Sequence, residues 1–135
     1  MGFDIQIDFR SGEPIYTQIV NQIQQMVAEG ELKQGDQLPT VRHLATELRV
    51  NFNTVARAYR ILDEAGLIST QQGRGTYIWE QPDEAKIFKL RRQSLKDLIL
   101  HRFQEAQQLG YEVDEVEATS DELIRRWKTN GSLND

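Results

Sequence analysis

Thr40 to Gly66 reads TVRHLATELRVNFNTVARAYRILDEAG, and this stretch decides the fold. Thr40 is placed to cap a short helix whose apolar face is Val41, Leu44, Ala45 and Leu48. After only Arg49 and Val50, Asn51 can cap the next helix, in which Val55, Ala58, Tyr59, Leu62 and Ala65 follow helical spacing until Gly66. Two helices joined this tightly form a helix-turn-helix. Such a motif lays its second helix in the DNA major groove, with side chains near that helix's N-terminus at the base edges and the first helix on the backbone. Asn51, Asn53, Thr54 and Arg57 crowd that start, and Asn and Arg can pair bidentately with adenine or guanine. The plainer alternative is that Asn51 only caps while Asn53 and Thr54 are solvated first-turn residues.

Upstream, Phe3, Ile5, Ile7 and Phe9 alternate with polar residues, which predicts a short strand or extended arm. From Pro14, Ile15, Ile19, Ile23, Met26 and Val27 recur at steps of three and four until Gly30, an amphipathic helix of four turns, and Gly35-Asp36 with Pro39 marks a turn. Downstream, two β-prone runs, 67–70 and 76–79, flank Gln71-Gln72-Gly73-Arg74-Gly75 and predict a hairpin. Its tip can act as a wing, with glycines allowing close backbone approach and Arg74 entering a minor groove. The tip also begins like a dinucleotide-binding fingerprint, but the third glycine is missing and a strand follows, so phosphate cradling is not expected.

Pro82-Asp83 marks a boundary. Beyond it Ile87, Leu90, Leu95, Leu98, Ile99, Phe103, Ala106 and Leu109 form one helical stripe up to Gly110, roughly 40 Å long. A last apolar set, Val113, Val116, Leu123, Ile124 and Trp127, fits either one helix from Asp114 or a shorter one capped by Thr119. The tail from Thr129 is polar.

Composition narrows the function classes. The 135 residues suit one compact domain, or a small domain with a helical appendage, and are too few for two large enzyme domains. Cys is absent, and two isolated histidines, His43 and His101, have no metal-ligand spacing; both read as surface or partly buried helix residues. No carboxylate is paired with a nucleophile or a phosphate loop, so neither enzyme chemistry nor a cofactor is expected. No apolar run reaches membrane-span length and the N-terminus lacks signal-peptide character, which predicts a cytoplasmic protein with no membrane partner. Asn130-Gly131-Ser132 matches a glycosylation sequon that has no meaning without secretion. The net charge of −5 argues against a polyanion partner until its distribution is seen. Between Leu38 and Arg60 four arginines face one carboxylate, a local +3, so the remainder carries −8.

Four spaced blocks then become recognisable: Pro14-Ile15-Tyr16-x-Gln18-Ile19; Gly30-x-Leu32-x-x-Gly35-Asp36-x-Leu38-Pro39-Thr40-x-Arg42-x-Leu44-Ala45; Val50-Asn51-x-Asn53-Thr54-Val55-x-Arg57-Ala58-Tyr59; and Gly66-Leu67-Ile68 with Gly73-x-Gly75-Thr76. Together they resemble the winged-helix domain of GntR-family transcriptional regulators, over about Pro14 to Ile78. The short helical remainder is similar to that of the YtrA-like subgroup, and larger effector domains of the family do not fit in it. The resemblance implies that Thr40 and Arg42 contact the DNA backbone and neighbouring bases, that Asn51, Asn53, Thr54 and Arg57 sit at the recognition helix, and that Gly73, Arg74, Gly75 and Thr76 form the wing. Phe52 departs from the pattern, because relatives carry arginine or, in the subgroup, proline there. A bulky apolar side chain touches a thymine methyl or simply packs.

The expected architecture is therefore mainly α with a small β-hairpin: a winged helix-turn-helix over 1–80, then a helical dimerisation element over 81–135, in which an effector site is left open. The expected function is a sequence-specific DNA-binding regulator, a repressor acting as a homodimer on an inverted repeat in double-stranded DNA. Leu95, Leu98, Ile99, Phe103 and Leu109 are the expected dimer contacts, because a monomer would expose them. An unidentified small-molecule effector is a further expected class of partner. Trp79 and Trp127 read as packing anchors, and an aromatic near the domain junction also suits the wall of an effector pocket. One rival reading is a winged helix used as a protein-interaction scaffold, which suits the acidic total charge. Another is a severed N-terminal part of an aminotransferase-like regulator, against which the amphipathic C-terminal helices argue for a complete chain.

Overall fold

A computed structural model describes residues 3–81 and 83–134, so Met1, Gly2, Asp135 and the boundary residue Pro82 lie outside the described residues. The elements run α1 (Ile15–Ala28), β1 (Gln37–Leu38), α2 (Val41–Leu48), α3 (Phe52–Glu64), β2 (Ile68–Gln71), β3 (Gly75–Ile78), α4 (Glu84–Gln108) and α5 (Val113–Asn130). The chain divides into two compact units, 1–94 and 95–135, with the dividing point inside α4. Ile87 and Leu90, in the first two turns of α4, pack against the core of the first unit, which accounts for its reach beyond the hairpin.

The first unit is a winged helix. Its core joins Ile19 and Ile23 of α1, Leu44 of α2, Val55, Ala58 and Leu62 of α3, and Ile68 and Ile78 of the hairpin, the apolar positions of each amphipathic run. Both predicted caps form: Thr40 Oγ1 accepts from the His43 amide at 3.0 Å, and Asn51 Oδ1 accepts from the Asn53 amide at 2.7 Å. Between the two helices Arg49 turns the chain in the left-handed region, φ 59°, where glycine or asparagine is usual. The Arg49 and Val50 amides close the end of α2 on the Thr46 and Ala45 carbonyls.

One feature departs from the sequence reading and another selects between its alternatives. The hairpin gains a third strand, in the order β1-β3-β2, through Gln37 opposite Tyr77 and Leu38 opposite Thr76. Of the two readings offered for Phe3 to Asp8, strand or extended arm, the arm is the one that forms, because side chains replace a strand partner. The Gln22 amide accepts from the Gln6 N–H at 2.9 Å and donates to its carbonyl at 2.7 Å. Gln18 does the same at Asp8, at 2.8 and 3.0 Å, and also donates to the Glu13 carbonyl. These pairs satisfy the arm's peptides from α1 and seat Ile5 in the core, while Phe9 turns out to solvent.

In the second unit, α5 starts at Val113, one residue before the longer of the two predicted helices. Its box is built by Glu112 and Glu115, not by Thr119. No residue from Leu95 to Asn134 is buried, and Leu95, Leu98, Ile99, Phe103 and Leu109 are all exposed in the single chain. Trp127 is exposed as well, so it anchors no packing within its own chain.

Candidate nucleic-acid interface

The helix-turn-helix buries Val55, Ala58, Tyr59 and Leu62 on one side of α3, which leaves Phe52, Asn53, Arg57 and Arg60 on the other at helical spacing. Tyr59 locks this helix to the approach of α2: its hydroxyl donates to the Pro39 carbonyl at 2.7 Å. Burial pushes the Tyr59 phenol above its ordinary range, so it remains a neutral donor.

Two arginines on the exposed side are seated on aromatic rings. The Arg57 guanidinium lies 3.8 Å from the centre of the Tyr16 ring on α1, and that of Arg42 lies 5.6 Å from the centre of the Phe52 ring. Stacking of this kind holds the guanidinium plane while leaving its N–H edges free for an acceptor. Phe52 is 47% exposed, so it is not a core residue. Asn53 and Arg42 are exposed and Thr54 is half-buried. Asn51 and Thr40 are exposed but already engaged as caps through their side-chain oxygens.

The hairpin tip is braced from its own strands and, through Gln37, from β1. The Arg74 carbonyl accepts from the Tyr77 hydroxyl at 2.8 Å and from the Gln37 amide at 3.4 Å, and the Arg74 N–H donates to the Gln71 carbonyl. Gly75 stands at φ +110°, a conformation that residues with a side chain rarely adopt, and the end of the Gln37 side chain lies against it. Gly73 and Arg74 are exposed at the tip. Thr76 is not: it is buried, and its hydroxyl meets that of Thr70 at 3.2 Å, so it supports the strand pairing. Tyr16 and Gln37, which hold Arg57 and Arg74, were not among the residues singled out for the site. The only advance signal was Tyr16 within the first block of the resemblance.

Residues 15–78 match the family described as bacterial regulatory proteins, gntR family. The HTH-type transcriptional repressor YtrA of Bacillus subtilis (strain 168) is 43% identical over 116 residues, which cover 83% of this chain and 85% of that relative. The chain belongs to the GntR family. Solved structures agree. A GntR family transcriptional regulator from Listeria monocytogenes superposes with a TM-score of 0.53 at 36% identity, covering 85% of this chain and 99% of that one. YtrA from Sulfolobus acidocaldarius, a GntR-family transcription factor, gives 0.54 at 39% identity, covering 68% and 97%. Likeness to two YtrA proteins along most of their length places the chain with the YtrA-like members. The GntR-family proteins it matches are transcription regulators and not enzymes.

Of the two histidines of this GntR-family chain, His43 is exposed and His101 half-buried. His43 is 3.4 Å from Glu47, and His101 is 4.0 Å from Glu105, each one turn along its helix. Among the described residues no His, Asp and Glu group can hold a metal ion, and no helix is long and apolar enough to cross a membrane.

Proposed function

We infer that this chain is a cytoplasmic, homodimeric repressor that binds an inverted-repeat operator in double-stranded DNA. The observation that carries the DNA reading is the exposed start of α3, where Asn53 and Arg57 stand beside Arg42 and Phe52. A helix of this width enters the major groove, where an arginine edge reads guanine and an asparagine amide reads adenine. In this reading Thr40 and Asn51 cap their helices and present backbone and remaining donors to phosphates. Thr54 flanks the same surface. Gly73, Arg74 and Gly75 form the wing tip, with Thr76 shaping it from inside. Phe52 contributes apolar contact with a thymine methyl.

Dimerisation is supported by the absence of buried residues after Ser94 among the described residues. Two helices of 25 and 18 residues, one only in part within the second unit, cannot be stabilised by propensity alone, and the exposed Leu98, Ile99 and Phe103 offer apolar surface for a second copy, flanked by Leu95 and Leu109. A two-fold dimer presents two recognition helices, which matches an inverted repeat. The repressor role is carried over from the name of the Bacillus subtilis relative.

Selection of the purified protein on randomised duplexes tests the whole reading. Recovered half-sites in inverted orientation, separated by about one helical turn or a multiple, are the expected result. Failure to enrich any sequence, with binding to a partner protein instead, would identify a scaffold module.

A further inference from the structure

The first unit contains a second concave site, away from the exposed face of α3. Its volume is about 700 Å³, within the range of small-molecule pockets. Val27 and Ala28 at the end of α1, Leu32, Leu67, Ile78 and Trp79 line it together with Ile87 and Phe88 of α4. Polar side chains join this wall at Gln24, Lys33, Gln34, Glu84 and Arg91. Gln24, 8% exposed, donates to the Ser94 hydroxyl at 3.0 Å, but its buried Oε1 has no partner. With the amide turned over, Gln24 accepts from Ser94 and its NH2 is left unpaired; in either orientation a buried polar atom awaits a partner. Arg91 lies three residues before Ser94, on the same side of α4, and also lines the pocket. Arg91 and Lys33 have no ion pair among the described residues, and Glu84 is the one carboxylate in the wall.

We propose that this pocket binds a small apolar monocarboxylate. Its chain or ring lies among Leu67, Ile78, Trp79, Ile87 and Phe88, and its carboxylate meets the Arg91 guanidinium. The Arg91 guanidinium, without an ion pair among the described residues, favours an acceptor-only head group: a carboxylate accepts from it, and an ammonium cannot. The wall includes Leu67 and Ile78 at the base of the hairpin whose tip carries Arg74, so an occupant bears on the wing. That regulatory consequence rests on the DNA-binding reading; the binding itself does not.

The test uses the full chain with Trp127→Phe, which leaves Trp79 as the only indole, and titrates octanoate, octanol and octylamine without DNA. Octanoate is expected to change Trp79 emission saturably and to bind at least tenfold tighter than octylamine, by fluorescence and by calorimetry. Arg91→Met is expected to weaken octanoate at least fivefold and leave octanol unchanged, and Ala28→Phe, at an exposed wall position, to abolish both. Equal binding of the three probes, or no effect of Arg91→Met, overturns the carboxylate assignment. Shielding of Trp79 from acrylamide that depends on protein concentration alone would show a second copy covering the pocket, and the proposal would fall. Because DNA is absent, none of these outcomes depends on whether an operator exists.

Discussion

If Arg57 meets DNA, Tyr16 must act through it, and the two side chains should be energetically coupled. The guanidinium sits 3.8 Å from the ring centre, a face-on contact between residues 41 positions apart in the chain. Arg57→Ala removes a base-edge or phosphate contact and should weaken operator binding by about 1–3 kcal/mol, roughly 5- to 150-fold. Tyr16→Leu keeps the apolar contact with the core but takes away the seat of the guanidinium. An exposed cation–π contact is worth about 0.5–1 kcal/mol, so the loss should be about 2- to 5-fold. In the Arg57→Ala background Tyr16→Leu should then have almost no further effect, because the group it positions is gone. Fluorescence anisotropy on the selected operator at one fixed salt concentration measures all four corners of the cycle, and circular dichroism checks that each variant folds. Additive losses would mean that Tyr16 acts independently, and an unchanged affinity for Arg57→Ala would remove α3 as the reading surface.

Three further outcomes are expected. Affinity for the operator should fall at least about a hundredfold between 50 and 200 mM salt despite the net charge of −5, because the local arginines release condensed counterions; a flat salt profile, measured by the same anisotropy assay, would favour a protein partner. Gln18→Met leaves the Asp8 peptide and the Glu13 carbonyl without their partners at 2.8, 3.0 and 3.0 Å, and should lower stability by about 2–3 kcal/mol in denaturant titrations. An unchanged unfolding midpoint would show that the arm contributes little. A chain ending at Ser94 keeps every buried apolar residue, so it should remain folded yet sediment as a monomer and bind one half-site far more weakly than the full-length dimer. Persistence of the dimer would relocate the interface to the winged helix.

The three helices of the winged domain, their caps at Thr40 and Asn51, and the hairpin were legible because each is specified by residues close in sequence. Periodicity names the buried face, and a polar residue just before the first turn names the start. The polar crowding at the start of α3 was legible for the same reason. What lay beyond reach depends on neighbours far along the chain. Gln37–Leu38 has no strand pattern of its own; it becomes β1 because β3 offers an open edge, and its Gln37 then braces the wing. The arm alternates like a strand, yet its partners are the amides of Gln18 and Gln22, not another peptide chain. Thr76 reads as the first residue of a β-prone run at the wing, and only the strand pairing shows that it turns inward against Thr70. The seats of Arg57 on Tyr16 and of Arg42 on Phe52, and the cluster of Gln24, Ser94 and Arg91 beside an apolar pocket, likewise required packed helices. Local sequence therefore determined which segments are helix, turn and hairpin, since capping and periodicity act over a few residues. Tertiary structure alone decided which polar groups are held, buried or left without a partner, because that depends on which distant surfaces lose their water together.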